Sequence, residues 1–228
     1  MNMKKVYIAA EGQAEANVVK KILCPYFIQK GINLIPHTIE TSTDRRNGRK
    51  HKGGITTYAS ARNTIANCLS AANATSGCFA TTMIDYYGLP ADTPGIKKTQ
   101  RFMDPYDKVR CVEEAIRSDL GADGYKFFPY IQLHELESLQ FVNIESLAFE
   151  YFDYDLEPLR QCVSEQPNPE LINNTPENAP SKRILKCIPN YDKNGAGVDC
   201  LIATGLDELR KKCEHFGEWV AWIESLED

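Results

Sequence analysis

The positions in this 228-residue chain whose types and spacing could do chemistry are acids that close β-rich apolar runs. KKVYIAAEGQAEANVVKKIL opens with a short run that ends in Glu11; Gly12 follows, then Glu15 at the front of an expected helix. CFATTMIDYYGLP ends its run in Asp85, and PYIQLHELESL places His134, Glu135 and Glu137 behind another. If these runs are parallel strands of one sheet, their acids meet at its C-terminal edge, where open α/β sheets bind ligands. Carboxylates held close repel one another unless a proton or cation intervenes. Hard oxygens of this kind suit Mg²⁺ or Mn²⁺. The expected chemistry is a divalent-metal site acting on phosphodiesters, with Glu11, Glu15, Asp85 and Glu135 or Glu137 as metal ligands.

Each residue also has a plainer reading. Glu15 is placed as an ordinary first-turn acid favoured by exposed helix N–H groups, and Glu11 and Asp85 as loop acids bonded to backbone. Glu135 and Glu137 cannot point the same way, so one is expected inside and one outside. His134 is either an acid–base or phosphate-binding group or a cap filling a polar gap. HELES lacks the second histidine of HExxH, and both GxGxxG and GxxxxGK[ST] are absent. A zincin, a dinucleotide-binding fold and a P-loop ATPase are thereby disfavoured.

Basic residues supply the complementary half. The formal net charge is −5, so global charge does not advertise nucleic-acid binding. Local patches matter more than the sum. RRNGRKHKGG holds Arg45, Arg46, Arg49, Lys50 and Lys52, with glycines that bring backbone N–H groups close to phosphates. The competing view is a solvated charge run. GIKKTQR is a second, looser patch. In PSKR, Lys182 is a candidate for stabilising charge on a phosphoryl group and Arg183 for holding the nucleic-acid backbone.

The elements that must position these groups follow from periodicity. The opening reads strand, glycine turn, helix, with Val18, Val19, Ile22, Leu23, Tyr26 and Phe27 on one stripe. INLIPHTIET reads as a second strand, placed at an edge by Pro36. A helix is expected from about 56 to 73, a third strand at CFATTMI, and a helix opened by Pro105 with Val109, Val112, Ile116 and Leu120 inward. YKFFPYIQL is a fourth strand interrupted by proline, and HELESLQF returns to helical periodicity. The order β-α-β-α-β-α-β predicts an α/β core with a mostly parallel four-stranded sheet over residues 1–142. Residues 143–228 read as a mainly helical extension packed on it, ending in a helix with Trp219, Trp222, Ile223 and Leu226 at helical spacing.

Composition fits this picture: 43% hydrophobic and 25% charged residues are ordinary for a globular protein. No apolar run approaches the roughly 18 residues of a membrane span, and VYIAA is too short for a signal-peptide core, so the expected location is the cytoplasm. Eight cysteines are widely spaced with no CxxC, which argues for reduced thiols over a zinc cluster or a disulfide framework.

Several of these segments together resemble one family. EGxxE, KHKGG, MIDYYGLP with its following PG, IQLHELESLQF and APSKRI are similar to the bacterial DUF4276 proteins over nearly the whole chain. That family is viewed as related to the Toprim fold of topoisomerases, primases, small ribonucleases and OLD-type nucleases. The resemblance implies a Toprim-like three-layer sandwich, a Mg²⁺-dependent acidic site acting on nucleic acid, and, for some relatives, an ABC-type or AAA-type ATPase partner in phage-defence gene pairs. The Toprim strand-end Glu matches Glu11, the extra acid of OLD-like nucleases resembles Glu15, and the first Asp of the DxD matches Asp85. The second Asp falls on Tyr87, which cannot replace a carboxylate as a hard anionic ligand. A metal-dependent nuclease is the favoured expectation. The alternative is a non-catalytic binding or regulatory module partnering an ATPase. A nucleotide- or metabolite-modifying enzyme is a third class, disfavoured by the missing glycine loop.

Overall fold

Alternation along the two central strands sets the layers. In β1 (Lys4–Ala10), Val6 and Ile8 face one core while Ala9 faces another. In β3 (Cys78–Asp85), Phe79 and Met83 take the first face and Cys78, Ala80 and Ile84 the second. All eight residues of β3 are buried, as expected of a strand covered on both faces. A computed structural model describes residues 3–39, 54–172 and 175–227. Its sheet runs β2 (Ile32–Thr38), β1, β3, β4 (Phe127–Phe128), with β5 (Ile131–Gln132) also on β3, and every pair is parallel. This is the α/β sandwich with a mostly parallel sheet that the element order predicts.

The proline expected to interrupt the fourth strand divides it into β4 and β5. Pro129 has no N–H to give, and side chains of β3 fill the gap. The Thr81 hydroxyl donates to Phe128 O, and the Thr82 hydroxyl donates to Tyr130 O while accepting from Tyr130 N at 2.8 Å. Pro36 sits in β2, at the sheet edge, where a missing donor costs no ladder bond.

One helical layer follows β1 directly: α1 (Gln13–Val18), a π-helical stretch (Val19–Leu23) and α2 (Cys24–Ile28). The wide turn precedes Pro25, which cannot bond the carbonyl four residues back. The opposite face carries α3 (Tyr58–Asn73) and α4 (Pro105–Asp119), with Ile65, Leu69, Val109, Val112 and Ile116 inward. Asp104 caps α4 by accepting from Tyr106 N at 2.8 Å.

The remaining helices are α5 (Ile144–Glu150), α6 (Glu157–Glu165), α7 (Pro180–Cys187), α8 (Ala196–Thr204), α9 (Leu206–Lys212) and α10 (Glu214–Glu224). They form an extensive C-terminal helical region. Val198 and Leu201 of α8, Leu206 and Leu209 of α9, and Phe216, Trp219 and Ile223 of α10 join the core on the α1–α2 side of the sheet. A third cluster joins Leu147, Leu159 and Ile184 of α5–α7 with Ile188 just past α7. HELESLQF departs from expectation: Leu136–Val142 forms tight 3₁₀ turns, with buried side chains throughout 136–141 instead of along one stripe. No helix among the described residues is long and apolar enough to cross a membrane.

Candidate active site

Backbone register brings the strand-end acids together. Glu11 N donates to Met83 O at 2.9 Å, extending the β1–β3 ladder one residue past β1. The Glu11 carboxylate then turns back, and its Oε2 accepts from Asp85 N at 2.9 Å, closing the end of β3. Asp85 lies opposite Gln132 in the β3–β5 register, and Tyr87 N donates to His134 O at 3.0 Å. Glu11, Asp85 and the segment after β5 therefore share the C-terminal edge of the sheet, as Glu15 does one helical turn beyond Glu11.

The acids converge on a cation that sequence reasoning missed. The Lys193 ammonium lies 3.1 Å from Glu15 Oε1, 3.1 Å from Glu137 Oε2 and 3.4 Å from Asp85 Oδ2. Glu15, Asp85 and Glu137 are buried, at 3%, 5% and 5% exposure. Asp85 Oδ1 is buried with no hydrogen-bond partner among the described residues. Of the acids after β5, Glu137 points into the cage. Glu135 turns to the first turn of α7, where its Oε2 accepts from Ser181 N at 2.9 Å.

Three carboxylates share one ammonium, with Glu11 beside them on Asp85 N, and the crowding shows in their proton affinities. Burial, with help from the Glu15 charge, pushes the Glu11 carboxyl up to about 7 despite the Asp85 N–H bond. Burial also raises Asp85 well above the ordinary range, against the pull of Lys193, and it raises Glu137. For Lys193, burial would favour the neutral amine. Asp85, Glu137 and Glu15 outweigh it and hold the ammonium charged well beyond the usual lysine range.

Glycines let the chain close around Glu11. A Cβ on Gly88 would lie 2.7 Å from Glu11 Oε1, and one on Gly54 would lie 2.8 Å from the same oxygen. Ile39 N donates to Ala10 O at 2.9 Å, so Ile39 and Gly54 both sit at this edge. Arg45, Arg46, Arg49, Lys50 and Lys52 lie outside the described residues.

His134 borders the site in a strained conformation. Its φ of 61° is in the left-handed region, a setting that costs a non-glycine residue on the order of 1–3 kcal/mol. The side chain is buried, with neither ring nitrogen hydrogen-bonded among the described residues. Burial, with the Lys108 charge adding to it, lowers its pKa to about 4, so the imidazole is neutral at pH 7. The Tyr87 ring packs 5.1 Å from it, centroid to centroid. Tyr86 OH donates to Thr99 Oγ1 at 3.1 Å, and Tyr58 is buried with its OH on Asp119.

The basic pair in α7 is not part of this cage. Lys182 is exposed. Arg183 donates to Asn178 O at 2.9 Å and contacts Cys162 Sγ. The sequence does carry a faint signal for Lys193: YDKNGAG reads as a turn from its Asp, Asn and Gly content. Nothing in that composition indicates that its lysine points inward. Chemically, the cage offers hard oxygens from four carboxyls around the one ammonium found there among the described residues. Among the described residues no group of three or more Asp, Glu, His or Cys side chains stands at metal-ligand spacing. The acids contact the ammonium at hydrogen-bond distances, wider than the roughly 2.1 Å of a Mg²⁺ shell.

No curated protein and no solved structure matches the chain. A family model does, from residue 10 to residue 224, so its span runs from the end of β1 through the cage to the last helix. The chain belongs to the family described as a domain of unknown function, DUF4276.

Proposed function

We propose that this chain is a metal-dependent nuclease that hydrolyses nucleic-acid phosphodiesters. One observation carries the reading: four acids from four separate segments, Glu11, Glu15, Asp85 and Glu137, are gathered at the C-terminal edge of a parallel sheet, and among the described residues Lys193 is the one cation that pairs with them. A structural ion pair needs one partner for one charge. A surplus of buried carboxylates instead suits a divalent ion, and the unpartnered Asp85 Oδ1 is a donor oxygen left open for one. Glu11, Glu15, Asp85 and Glu137 would hold Mg²⁺ or Mn²⁺. Bound there, such an ion would supply a polarised phosphoryl oxygen and a more acidic water.

The protein's own groups have separate tasks. Glu11 fixes the end of β3 through Asp85 N and so sets where the Asp85 carboxylate stands. His134, neutral at pH 7, offers an imidazole for hydrogen bonding to a phosphate rather than a strong base. Lys182 and the basic residues at 45–52 are available to the phosphate backbone on charge grounds. The Toprim-like resemblance supports the same chemistry, and a role in phage defence is the setting it implies.

The test uses the purified chain with end-labelled DNA and RNA, single- and double-stranded, in Mn²⁺, in Mg²⁺ and in EDTA. Cleavage is expected with metal and absent in EDTA. Glu11→Ala and Asp85→Ala are expected to reduce it to background with native circular dichroism. Undiminished cleavage by both variants removes the site. A second reading is favoured by Tyr87, which stands where a Toprim site has its second aspartate: a non-catalytic module that binds an ABC-type or AAA-type ATPase. Under that reading calorimetry finds no Mn²⁺ binding, and the chain forms a stable complex with the ATPase of its own gene pair.

A further inference from the structure

We propose that Lys193 is the resident cation of the acid cage, a tethered competitor that sets the affinity of the site for a divalent ion. The inference rests on the metal-site reading above for the identity of the competing ion. It rests on its own geometry for the lysine.

The first observation is occupancy. One nitrogen lies within 3.4 Å of oxygens from Glu15, Asp85 and Glu137, so no cation can be shared by those three acids until the ammonium leaves. The second is that the lysine is presented by a built turn. Asn194 N donates to Asp192 Oδ1 at 3.0 Å, Gly197 N donates to Asp192 O at 2.8 Å, and Asp192 N donates to Tyr151 OH at 3.0 Å. A Cβ on Gly195 would meet Asp192 Oδ2, so glycine there lets the Asp192 carboxylate sit close under the turn. The third is that the turn is fastened to the elements that carry the acids. Asn17, two residues from Glu15, donates to Asn194 O at 3.1 Å. Gln140, three residues from Glu137, donates to Gly197 O at 2.7 Å. The backbone under Lys193 is thus fixed relative to its partners.

The side chain has a path out to solvent. It is 32% exposed, so it enters the cage from the surface instead of from the core. A flexible four-carbon stem can swing out without disturbing the turn. An ammonium carries one charge against four carboxylates, and a divalent ion carries two. The exchange therefore favours the metal electrostatically while costing the lysine its place. The consequence is a threshold: the competent form is the fraction with Lys193 withdrawn, and apparent affinity falls by that fraction.

The experiment measures Mn²⁺ binding to the full chain by electron paramagnetic resonance and calorimetry, without nucleic acid, beside thermal melts. Lys193→Met is expected to bind Mn²⁺ at least about tenfold more tightly than wild type. Its metal-free form is expected to melt below wild type, with saturating Mn²⁺ closing the gap. Lys193→Arg keeps a charge, bonded through a planar fork, and is expected to bind Mn²⁺ no more tightly than wild type. Equal or weaker Mn²⁺ binding by Lys193→Met overturns this inference alone and leaves the metal site standing. Tighter binding by Lys193→Arg overturns it too, and suffices should Lys193→Met fail to fold. Millimolar Mn²⁺ bound by none of the three proteins overturns the inference together with the metal-site reading.

Discussion

Among the described residues two buried clusters of ionisable groups differ in how well they are satisfied. Near the N-terminus of α10, Glu170 is fully buried, and its two oxygens accept from His215 N, Phe216 N and Tyr106 OH at 2.9–3.1 Å. Glu113 Oε1 accepts from Ile131 N and meets His215 Nε2, each at 2.8 Å. The His215 ring stacks on Tyr130, which stacks in turn on Trp219 at 4.5 Å. Among the described residues there, His215 Nδ1 is buried without a hydrogen bond, 3.6 Å from Glu218. The cage at the sheet edge has the opposite character: four acids, one ammonium and an orphaned Asp85 oxygen. Burial of charge therefore does not mark a site here. The α10 cluster uses its carboxylates to end backbone segments, whereas the cage gathers more carboxylates than Lys193 can pair among the described residues and raises their proton affinities instead.

The sharpest way to break this distinction is to remove one acid from each cluster. Glu170→Ala leaves the His215 and Phe216 N–H groups and Tyr106 OH without their acceptor, at the start of the helix that brings Trp219 into the core. A stability loss of about 3–5 kcal/mol is expected in urea unfolding. Mn²⁺ affinity is expected to be unchanged once the protein is folded. Glu11→Gln should act in the other direction. It deletes a charge whose burial is opposed, while its amide oxygen can still accept from Asp85 N. At pH 8 and without metal a gain of about 1–3 kcal/mol is expected, accompanied by loss of cleavage. If Glu11→Gln instead destabilises as much as Glu170→Ala, the cage is a structural network and the contrast collapses.

The parts of this arrangement that sequence could reveal are those with a local cause. Glu11 and Asp85 are legible because each ends a run of apolar residues, and a strand end in a parallel sheet has one place to be. Pro36 and Pro129 are legible because a missing N–H restricts position. Glu137 over Glu135 is not, since the choice depends on the 3₁₀ path of 136–142, where buried side chains on all sides hide any periodicity. Lys193 is least legible. Its position depends on Asp192, Gly195, Asn17 and Gln140 acting together across 177 residues of chain, and no pattern within a short window encodes that. Glu113, Glu170 and His215 escape notice for the same reason, being brought together from three helical segments.

The smallest expected effect separates the two clusters along the pH axis. The Glu11 carboxyl is raised from 4.5 to about 7 in the folded chain, chiefly by burial. A group raised on folding contributes stability that is full below its unfolded value and lost as pH climbs through its folded value. Metal-free stability should therefore fall between about pH 4.5 and 7 on account of Glu11. For His215, burial alone would lower the pKa, but the Glu113 carboxylate bonded to Nε2, with Glu170 and Glu218, reverses the sign and raises it. Its contribution is full below the unfolded value of 6.5 and is lost above it, as the ring gives up the proton that Glu113 holds. Urea midpoints across pH 4–9 should show both losses as overlapping limbs. Glu11→Gln is expected to reduce the lower limb, leaving the share that the raised Asp85 and Glu137 carboxyls contribute, and His215→Gln to flatten the upper limb. Saturating Mn²⁺ should flatten the lower limb in wild type, because a cation in the cage favours the ionised acids. It should leave the His215 limb as it was, since that histidine belongs to the cluster already satisfied.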